Sequence, residues 1–468
     1  MSELLNTATY DAGIYAPVPD ERHDTDLTVV GRIPAELHGV FAQNAPNPAY
    51  PLPGFGHWFD GDGMVHAVQI EDGRASYRNR YVATEGLAAD RAAGAARQGG
   101  ILMPFDPTSD TPDKDTANTD LVWHNGRLWA LWYLGGQPYG LDPVTLETQA
   151  LGEWGGPAAA HPKVCPETGE LMFIDFSLYR QPWLSYGVLS REGKLVHRQA
   201  VDIPQPTFMH DIGITRNHTI FLDLPMTWDQ DKVKVGKRRI RFQPETPSRF
   251  GIVPRHGGPV RWFETDACYA YHSINAWEET DADGTVVHLT ACRIEDPIPT
   301  TPHETEPEIP RLTFLRLHPL LHKWTFHLGT GAVTSTRLDD VPTEFPRMND
   351  AFLGRKSRYS YNPRIAPLPT LAFDGLVKYD AEGGSRAHSF GGQLGGEAVF
   401  VPRPGATVED DGWLVGFTHD RTNNASELRI VDASTMDAEP VARISLPRRV
   451  PFGFHAAWVP GAEIGSPA

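Results

Sequence analysis

The chain has 468 residues and a formal net charge of −17 at pH 7. Hydrophobic residues make up 40% of it and aromatic residues 10%, which is enough for a large core and excludes a disordered chain. The acidic balance excludes a protein that binds the nucleic-acid backbone, because such binding needs clustered Lys and Arg. We therefore expect a globular protein with no nucleic-acid partner.

The cysteines and the apolar segments indicate the compartment. The cysteines are Cys165, Cys268 and Cys292, an odd number without CxxC spacing, so neither a disulfide framework nor a cysteine-based zinc knuckle is indicated. The first residues, MSELLNTATYDAG, lack a basic region followed by an apolar one. No apolar run approaches the roughly 18 residues of a membrane span. We expect a cytoplasmic protein.

Turn residues predict the strand architecture. The 44 glycines and 41 prolines favour many short strands joined by turns over long helices. Turn sequences between β-rich runs predict hairpins at 142–147, 166–170, 191–194, 281–285, 329–333, 380–384 and 432–437. The last three hairpins lie about 50 residues apart, the period of four-stranded propeller blades. On this signal a propeller of about seven blades and an ordinary β-sandwich both remain open.

The strand pattern shows no domain boundary and is interrupted by one predicted helix. No linker-like change of composition occurs, so we expect residues 1–468 to form a single domain. The Ala-rich segment 86–99 ends in glycine and predicts a surface helix. Long loops then have to lie on one face of the strand scaffold, where function is usually carried.

Histidine is the unusual component of the sequence. Motifs of phosphate-binding loops, dinucleotide sites, serine hydrolases and zincins are absent from it. Of the 19 histidines, four follow short apolar runs: His161, His210, His272 and His455. Any one of them alone is more simply a buried core histidine, but four need partners for both ring nitrogens. A shared metal would satisfy one nitrogen of each, and imidazole ligands suit iron, copper, nickel or zinc.

The sequences around these histidines resemble a known family. They read AHPK, FMHDIGIT, YHSINAWEE and FHAAWV, and FDGDGMVHAV begins at Phe59. Together they resemble the carotenoid cleavage oxygenases, from about Pro34 to Pro460. The resemblance implies an all-β fold, a seven-bladed β-propeller capped by loops and a helix over the iron-bearing face. It also implies Fe2+ held by His161, His210, His272 and His455.

The resemblance further implies groups that support these ligands. Glu344 and Glu397 match family glutamates that accept the distal N–H of His272 and His455 and so fix the ring tautomer. The third such glutamate is replaced by Tyr133, so we expect a neutral phenol oxygen behind His210.

Another set of residues is implied to contact O2 and the substrate. Thr119 matches a threonine that turns its methyl group towards an open iron position. We expect Phe59, Trp132 and Phe208 to line an apolar tunnel. Lignostilbene dioxygenases have a lysine at the position of Trp132, and the indole here favours an unfunctionalised polyene over a phenolate.

The implied activity is oxidative cleavage of a conjugated carbon–carbon double bond by O2, giving two carbonyl products. We expect a carotenoid or apocarotenoid as the apolar conjugated substrate, and a peripheral membrane contact for its uptake. Cleavage of a stilbene or phenylpropene is the first alternative. An isomerase or hydrolase that uses the iron as a Lewis acid, and a non-catalytic propeller that only binds an apolar ligand, are the others.

Overall fold

Strands are the main regular element of the computed structural model. It describes residues 10, 12–53, 57–101, 103–109, 112–298, 317–368, 370–437 and 439–464. Within these ranges there are 32 strands and two short α-helices, α1 (Glu85–Ala93) and α2 (Gln230–Val233). None of the described helices has the length and apolar character needed to span a bilayer. The prediction of an all-β protein is confirmed.

The first four blades of a propeller follow one another along the chain. Blade 1 has the strand order β1 (Arg22–Asp24), β5 (Arg74–Tyr81), β4 (Gly63–Glu71), β3 (Gly39–Pro46) and β32 (Ala456–Pro460). Blade 2 contains β6 (Asp120–His124), β7 (Arg127–Leu131), β8 (Tyr139–Leu141) and β9 (Thr148–Leu151). Blade 3 contains β10 (Lys163–Val164), β11 (Leu171–Phe176), β12 (Leu184–Leu189) and β13 (Leu195–Val201). Blade 4 contains β14 (Ile212–Ile214), β15 (His218–Asp223), β18 (Ser248–Pro254) and β19 (Arg261–Thr265), and it carries the inserted hairpin β16 (Met226–Trp228) and β17 (Ile240–Phe242).

Three further blades complete the ring. Blade 5 contains β20 (Tyr269–Asp281), β21 (Gly284–Ile294), β22 (Leu320–His327) and β23 (Val333–Arg337). Blades 6 and 7 are joined into one nine-stranded sheet because β27 bonds to both β25 and β29. Blade 6 contains β24 (Tyr359–Ile365), β25 (Phe373–Asp380), β26 (Ser385–Ser389) and β27 (Leu394–Gly395). Blade 7 contains β28 (Val399–Pro402), β29 (Gly412–Asp420), β30 (Ala425–Asp432), β31 (Ala442–Ser445) and β2 (Val29–Gly31).

Strands from both halves of the chain close the ring. In blade 1, β32 pairs with β3 in antiparallel register, with Gly39 opposite Pro460 and Gln43 opposite Ala456. In blade 7, β2 pairs with β31. Each of these blades therefore combines strands that are far apart in sequence, and their pairing closes the ring of blades.

The local predictions agree with these elements except at one helix boundary. All seven predicted hairpins join consecutive antiparallel strands, from β8–β9 to β30–β31. The helix predicted over 86–99 is shorter, because α1 ends at Ala93. Gly94 adopts a left-handed conformation with φ +68° and caps it. Gly94, and not Gly99, therefore stops the helix.

The innermost strands determine where the functional residues lie. Asp120 is the first residue of β6, Lys163 is the first of β10, and His455 immediately precedes β32. Aromatic side chains hold the blades together, as where Phe250 of β18 and Trp324 of β22 lie 5.0 Å apart between ring centres. This packing fixes the strand ends around the axis, so side chains from different blades can converge there.

Two buried histidines outside the site make the fold sensitive to acid. His66 Nδ1 lies 2.8 Å from the Tyr77 hydroxyl, and His419 Nδ1 lies 2.8 Å from Ser426 Oγ. Burial lowers the pKa of both imidazoles to about 3. In the unfolded chain they take up protons near pH 6.5, so acid favours unfolding and the free energy of unfolding falls as the pH drops from 6.5 towards 3.

We expect His419→Gln to reduce this acid sensitivity. Each histidine contributes about 1.4 kcal/mol per pH unit to the slope of the unfolding free energy between these pKa values. Removing one of them should lower the slope by about that amount. Urea unfolding between pH 4 and pH 6 measures the slope for parent and variant. Equal slopes would contradict the prediction.

Candidate metal centre

All four histidines predicted from the sequence converge on the propeller axis. His161 precedes β10, His210 precedes β14, His272 lies in β20 and His455 precedes β32. The ring centre of His161 lies 4.7 Å from that of His210, 4.9 Å from that of His272 and 4.4 Å from that of His455. His272 and His455 are 4.7 Å apart. Four blades thus each contribute one imidazole to a single cluster.

The cluster has the geometry of a metal site. The Nε2 atoms of His161 and His210 are 3.1 Å apart, and two nitrogens about 2.1 Å from one metal at a right angle would lie about 3.0 Å apart. Ligand nitrogens of His161, His272 and His455 all lie within 4.8 Å of one another. His272 Nε2 is buried without a hydrogen-bond partner among the described residues, and a metal would satisfy it. The cluster can therefore hold a metal ion.

The imidazoles are in the protonation state that binds metals. Burial lowers the pKa of His161, His210 and His272 well below the usual range, and neighbouring imidazoles lower it further. Burial lowers the pKa of His455 to about 4. All four rings are therefore neutral near pH 7, and each has a nitrogen lone pair available for a cation.

Two glutamates contact the outer nitrogens of the cluster. His272 Nδ1 donates to Glu344 Oε2 at 2.5 Å, and His455 Nδ1 donates to Glu397 Oε1 at 3.2 Å. A proton held on Nδ1 leaves the lone pair on Nε2, the nitrogen that faces the cluster. Both carboxylates are buried. They lie where the resemblance placed them, and their effect on metal affinity stays a prediction.

The sequence did not predict that carboxylates also hold the backbone beside the histidines. Each of three carboxylates accepts a backbone N–H at or next to a histidine of another blade: Asp120 from His161 at 2.9 Å, Asp211 from Ser273 at 2.7 Å, and Glu397 from Ala456 at 2.5 Å. These bonds position the ligands through the main chain.

The backbone of the site is strained at His161 and at Phe345. His161 has φ +67° and Phe345 has φ +53°, a left-handed conformation that costs about 1–2 kcal/mol without glycine. The N–H of His161 donates to Asp120, and that of Phe345 donates to Glu344 Oε2 at 2.6 Å. The two carboxylates therefore stabilise conformations that the ligand geometry requires.

Tyr133 does not support His210 as the sequence led us to expect. Among the described residues, no hydrogen bond joins the Tyr133 hydroxyl to His210, and the charged groups nearest in effect to this hydroxyl are Asp60, Asp113 and Arg238. The Tyr133 ring packs edge-on against Phe59, with 5.1 Å between ring centres. Tyr133 therefore does not take the place of the missing glutamate as an acceptor for His210.

We expect Tyr133→Phe to leave metal affinity within about twofold of the parent. The hydroxyl bonds to no ligand, so its loss should not alter the tautomer or orientation of a ring, whereas removing a true support costs about 10–100-fold. Competition with a chromophoric chelator measures the affinity. A tenfold loss would show that Tyr133 does support His210.

Thr119 lies where its methyl group can limit access to the cluster. Its Oγ1 donates to Asn118 Oδ1 at 2.9 Å and accepts the N–H of Tyr133 at 3.2 Å. Thr119 lines the same cavity as His210 and His272. Because the hydroxyl is engaged, the methyl group is the part of the side chain left for the cavity.

Small cavities adjoin the cluster on one side. The apolar cavity is lined mainly by aromatic and aliphatic side chains, with three of the histidines at its base: Trp58, Phe59, Thr119, Tyr133, His210, Tyr271, His272, Leu317, Glu344, Phe345, Leu371, Phe454 and His455. A second cavity shares Phe59 and Tyr133 with it and is lined by Phe208 and His210. Most of these aromatic residues were not predicted, because single aromatics in strands are indistinguishable from core.

Trp132 lies in a different environment from the one predicted. It lines a third cavity, which also shares Phe59 and Tyr133 but has Asp60, Asp113 and Lys114 in its wall. Its Nε1 is buried without a partner among the described residues. Phe59 and Phe208 thus adjoin the histidines as expected, whereas Trp132 faces a polar space and does not line the apolar cavity.

Comparison with known proteins agrees with this fold and site. The family model of the retinal pigment epithelial membrane protein matches residues 15–460. Carotenoid 9,10(9',10')-cleavage dioxygenase 1 of Arabidopsis thaliana is 36% identical, over 96% of this chain and 89% of that protein. Isoeugenol monooxygenase of Pseudomonas nitroreducens is 32% identical, over 98% and 100% respectively. The solved lignostilbene dioxygenase of Pseudomonas brassicacearum has a TM-score of 0.86 and 31% identity, over 97% and 98%.

The fold and the histidine cluster define a β-propeller enzyme of the oxygenase class, one that cleaves carbon–carbon double bonds. The chain belongs to the carotenoid cleavage oxygenase family, which includes the retinal pigment epithelial membrane protein.

Proposed function

We propose that the protein is an Fe2+-dependent dioxygenase that cleaves one conjugated double bond of an apocarotenoid or carotenoid with O2, giving two carbonyl products. His161, His210, His272 and His455 hold the iron. The observation that carries the proposal is a cluster of four neutral imidazoles, three of which lie at the base of an apolar cavity.

The donor set fits iron. Four neutral nitrogen ligands leave the full charge of a divalent ion, and an octahedral ion would keep two open positions. When bound, Fe2+ would supply the activation of O2. Thr119 narrows the space beside the ligands, and Glu344 and Glu397 keep the ring protons on the outer nitrogens.

The chain itself positions the substrate and excludes water. Phe59, Phe345 and Phe454 line the cavity next to the histidines, so an extended apolar chain would be held by shape and hydrophobic contact. The bond that lies beside the ligands is the one that reacts, which makes regioselectivity a matter of positioning. In this scheme the reaction requires no acid–base side chain.

Cleavage of a stilbene or phenylpropene is the second candidate function. The polar cavity at Trp132, with Asp60 and Asp113, offers hydrogen-bonding groups that a phenolic substrate could use. The apolar cavity, which directly adjoins the histidines, favours the polyene.

Oxygen uptake and product mass test the proposal. The Fe2+-loaded protein is supplied with an apocarotenal, a carotenoid in detergent micelles, a 4-hydroxystilbene and a 4-hydroxyphenylpropene. We expect the polyenes to be cleaved faster. Turnover of the aromatic alkenes alone would assign the second function. If none of the four substrates causes oxygen uptake, the protein is an isomerase, a hydrolase or a binding protein. Stoichiometric zinc after purification under iron-replete, anaerobic conditions would contradict the iron assignment.

We further propose that residues 1–468 act as a single domain in the cytoplasm. The pairing of β3 with β32 supports this, because the ring is complete only with strands from both halves of the chain. A peripheral contact with membranes would give access to an apolar substrate, which partitions into lipid.

A further inference from the structure

Besides the apolar cavity, a second and more polar channel reaches the histidine cluster. This axial channel has a volume of about 500 Å³ and follows the innermost strands β6, β10, β20, β28 and β32. At its inner end it is lined by three histidines: His161, His272 and His455. At its outer end it is lined by the exposed residues Asp350, Ala351 and Glu463. The channel therefore connects the metal centre with solvent.

The charged side chains of the axial channel are predominantly acidic. The described acidic residues in its wall are Asp120, Asp211, Asp350, Glu397 and Glu463, and the described basic ones are Lys163 and Arg347. Both basic groups are already paired. Lys163 Nζ lies 2.6 Å from Asp211 Oδ1, and Arg347 lies 3.6 Å from Glu397 and 3.3 Å from Asp350. The acidic side chains of the wall outnumber the basic ones, and the remaining negative charge attracts cations.

The two spaces beside the cluster therefore suit different molecules. In the apolar cavity, the charged group among the described lining residues is Glu344, and it is bonded to His272. A hydrated divalent cation would lose its water there at a large cost. The axial channel has room for on the order of ten water molecules at about 30 Å³ each, and acidic walls raise the local concentration of cations.

We propose that the axial channel is the path by which the metal ion reaches and leaves the histidines, while the apolar cavity admits the organic substrate. This inference rests on the proposed function, since the cation is the one assigned to the four histidines. Separate paths allow the metal to be loaded while the substrate cavity is filled.

A removable plug at the outer end tests the path. Ala351 is exposed and lines the channel, and the three native cysteines are buried. Ala351→Cys is labelled with a bulky methanethiosulfonate reagent, and the apoprotein is mixed with Co2+ in a stopped-flow absorbance experiment. We expect the label to slow Co2+ association at least fivefold. Reduction of the label, followed by desalting, should restore the parent rate.

The matched control is Ala381→Cys with the same label. Ala381 is exposed in the turn between β25 and β26 and does not line the channel. Its labelled form should bind Co2+ at the parent rate. The labelled parent chain checks that the native cysteines do not react.

Neutralising the outer acidic groups tests the path without blocking it. We expect the double variant Asp350→Asn with Glu463→Gln to bind Co2+ two- to fivefold more slowly at low ionic strength. The difference should vanish at high salt, where charges are screened. The control double variant, Asp420→Asn with Glu382→Gln, changes a half-buried and an exposed acid outside the channel and should match the parent.

A variant of the apolar cavity distinguishes the outcomes. Leu371 lines that cavity, and Leu371→Trp should leave Co2+ association unchanged. The proposal is wrong if Leu371→Trp slows association, or if the labelled Ala351→Cys protein and the neutralised double variant both bind at the parent rate. A parent protein that binds no Co2+ at all would instead refute the proposed function.

Discussion

His272→Ala should reduce the bound metal from about one ion per chain to less than about a tenth, and should abolish oxygen uptake with every substrate. His272 Nε2 is buried without a hydrogen-bond partner among the described residues, and its Nδ1 proton is held by Glu344. The ring is therefore fixed as a ligand with its lone pair towards the cluster. We expect the same result for His210→Ala. Metal analysis of protein reconstituted with Fe2+ without oxygen measures the loss.

His322→Asn is the matched control for this prediction. His322 is also buried, but its Nε2 lies 2.6 Å from Ser335 Oγ in blade 5, outside the cluster. This variant should keep its metal and its activity. A His272→Ala protein that retains stoichiometric iron would show that the cluster is not the iron site.

Glu344→Ala and Glu397→Ala should each weaken metal binding by about 10–100-fold. Each glutamate accepts the outer N–H of one histidine and also a backbone N–H of the site. Its removal frees the ring to rotate or to change tautomer and leaves buried donors unsatisfied. Competition with a chelator gives the affinity, and the Fe2+–nitric oxide spectrum reports the ligand field independently of turnover.

The chain contains a similar histidine–glutamate pair away from the site. His218 Nδ1 lies 2.7 Å from Glu278 Oε2 on the outer part of blades 4 and 5. Glu278→Ala should affect stability without changing metal affinity. If Glu344→Ala and Glu397→Ala bind metal as tightly as Glu278→Ala, the predicted role of the two glutamates is wrong.

The sequence was informative where the structure depends on local chemistry. Turn residues at 142–147 or 380–384 specify a hairpin whatever surrounds them, so all seven predicted hairpins are present. The four histidines could be found because each follows an apolar run, and their family motifs supplied the shared site. Glu344 and Glu397 were found through the same motifs.

Groups that act between blades were not predicted. Asp120 bonds to His161, 41 residues further on, and Asp211 bonds to Ser273, 62 residues further on. No local pattern links such pairs, because they meet only when neighbouring blades pack together. The axial channel was not predicted for the same reason, because its wall combines residues of the innermost strands of five blades. The family motif predicted the position of Tyr133 in the chain, but not that its ring packs against Phe59 without a hydrogen bond to His210.

The closure of blade 1 by β32 also has a consequence for biosynthesis. His455 immediately precedes this last strand, which pairs with β3 near the other end of the chain. A nascent chain whose β32 has not yet been synthesised can form the central blades but lacks His455 and the strand that positions it. The complete four-histidine site can therefore arise only once β32 has paired with β3, and iron that arrives earlier finds at most three of its four ligands.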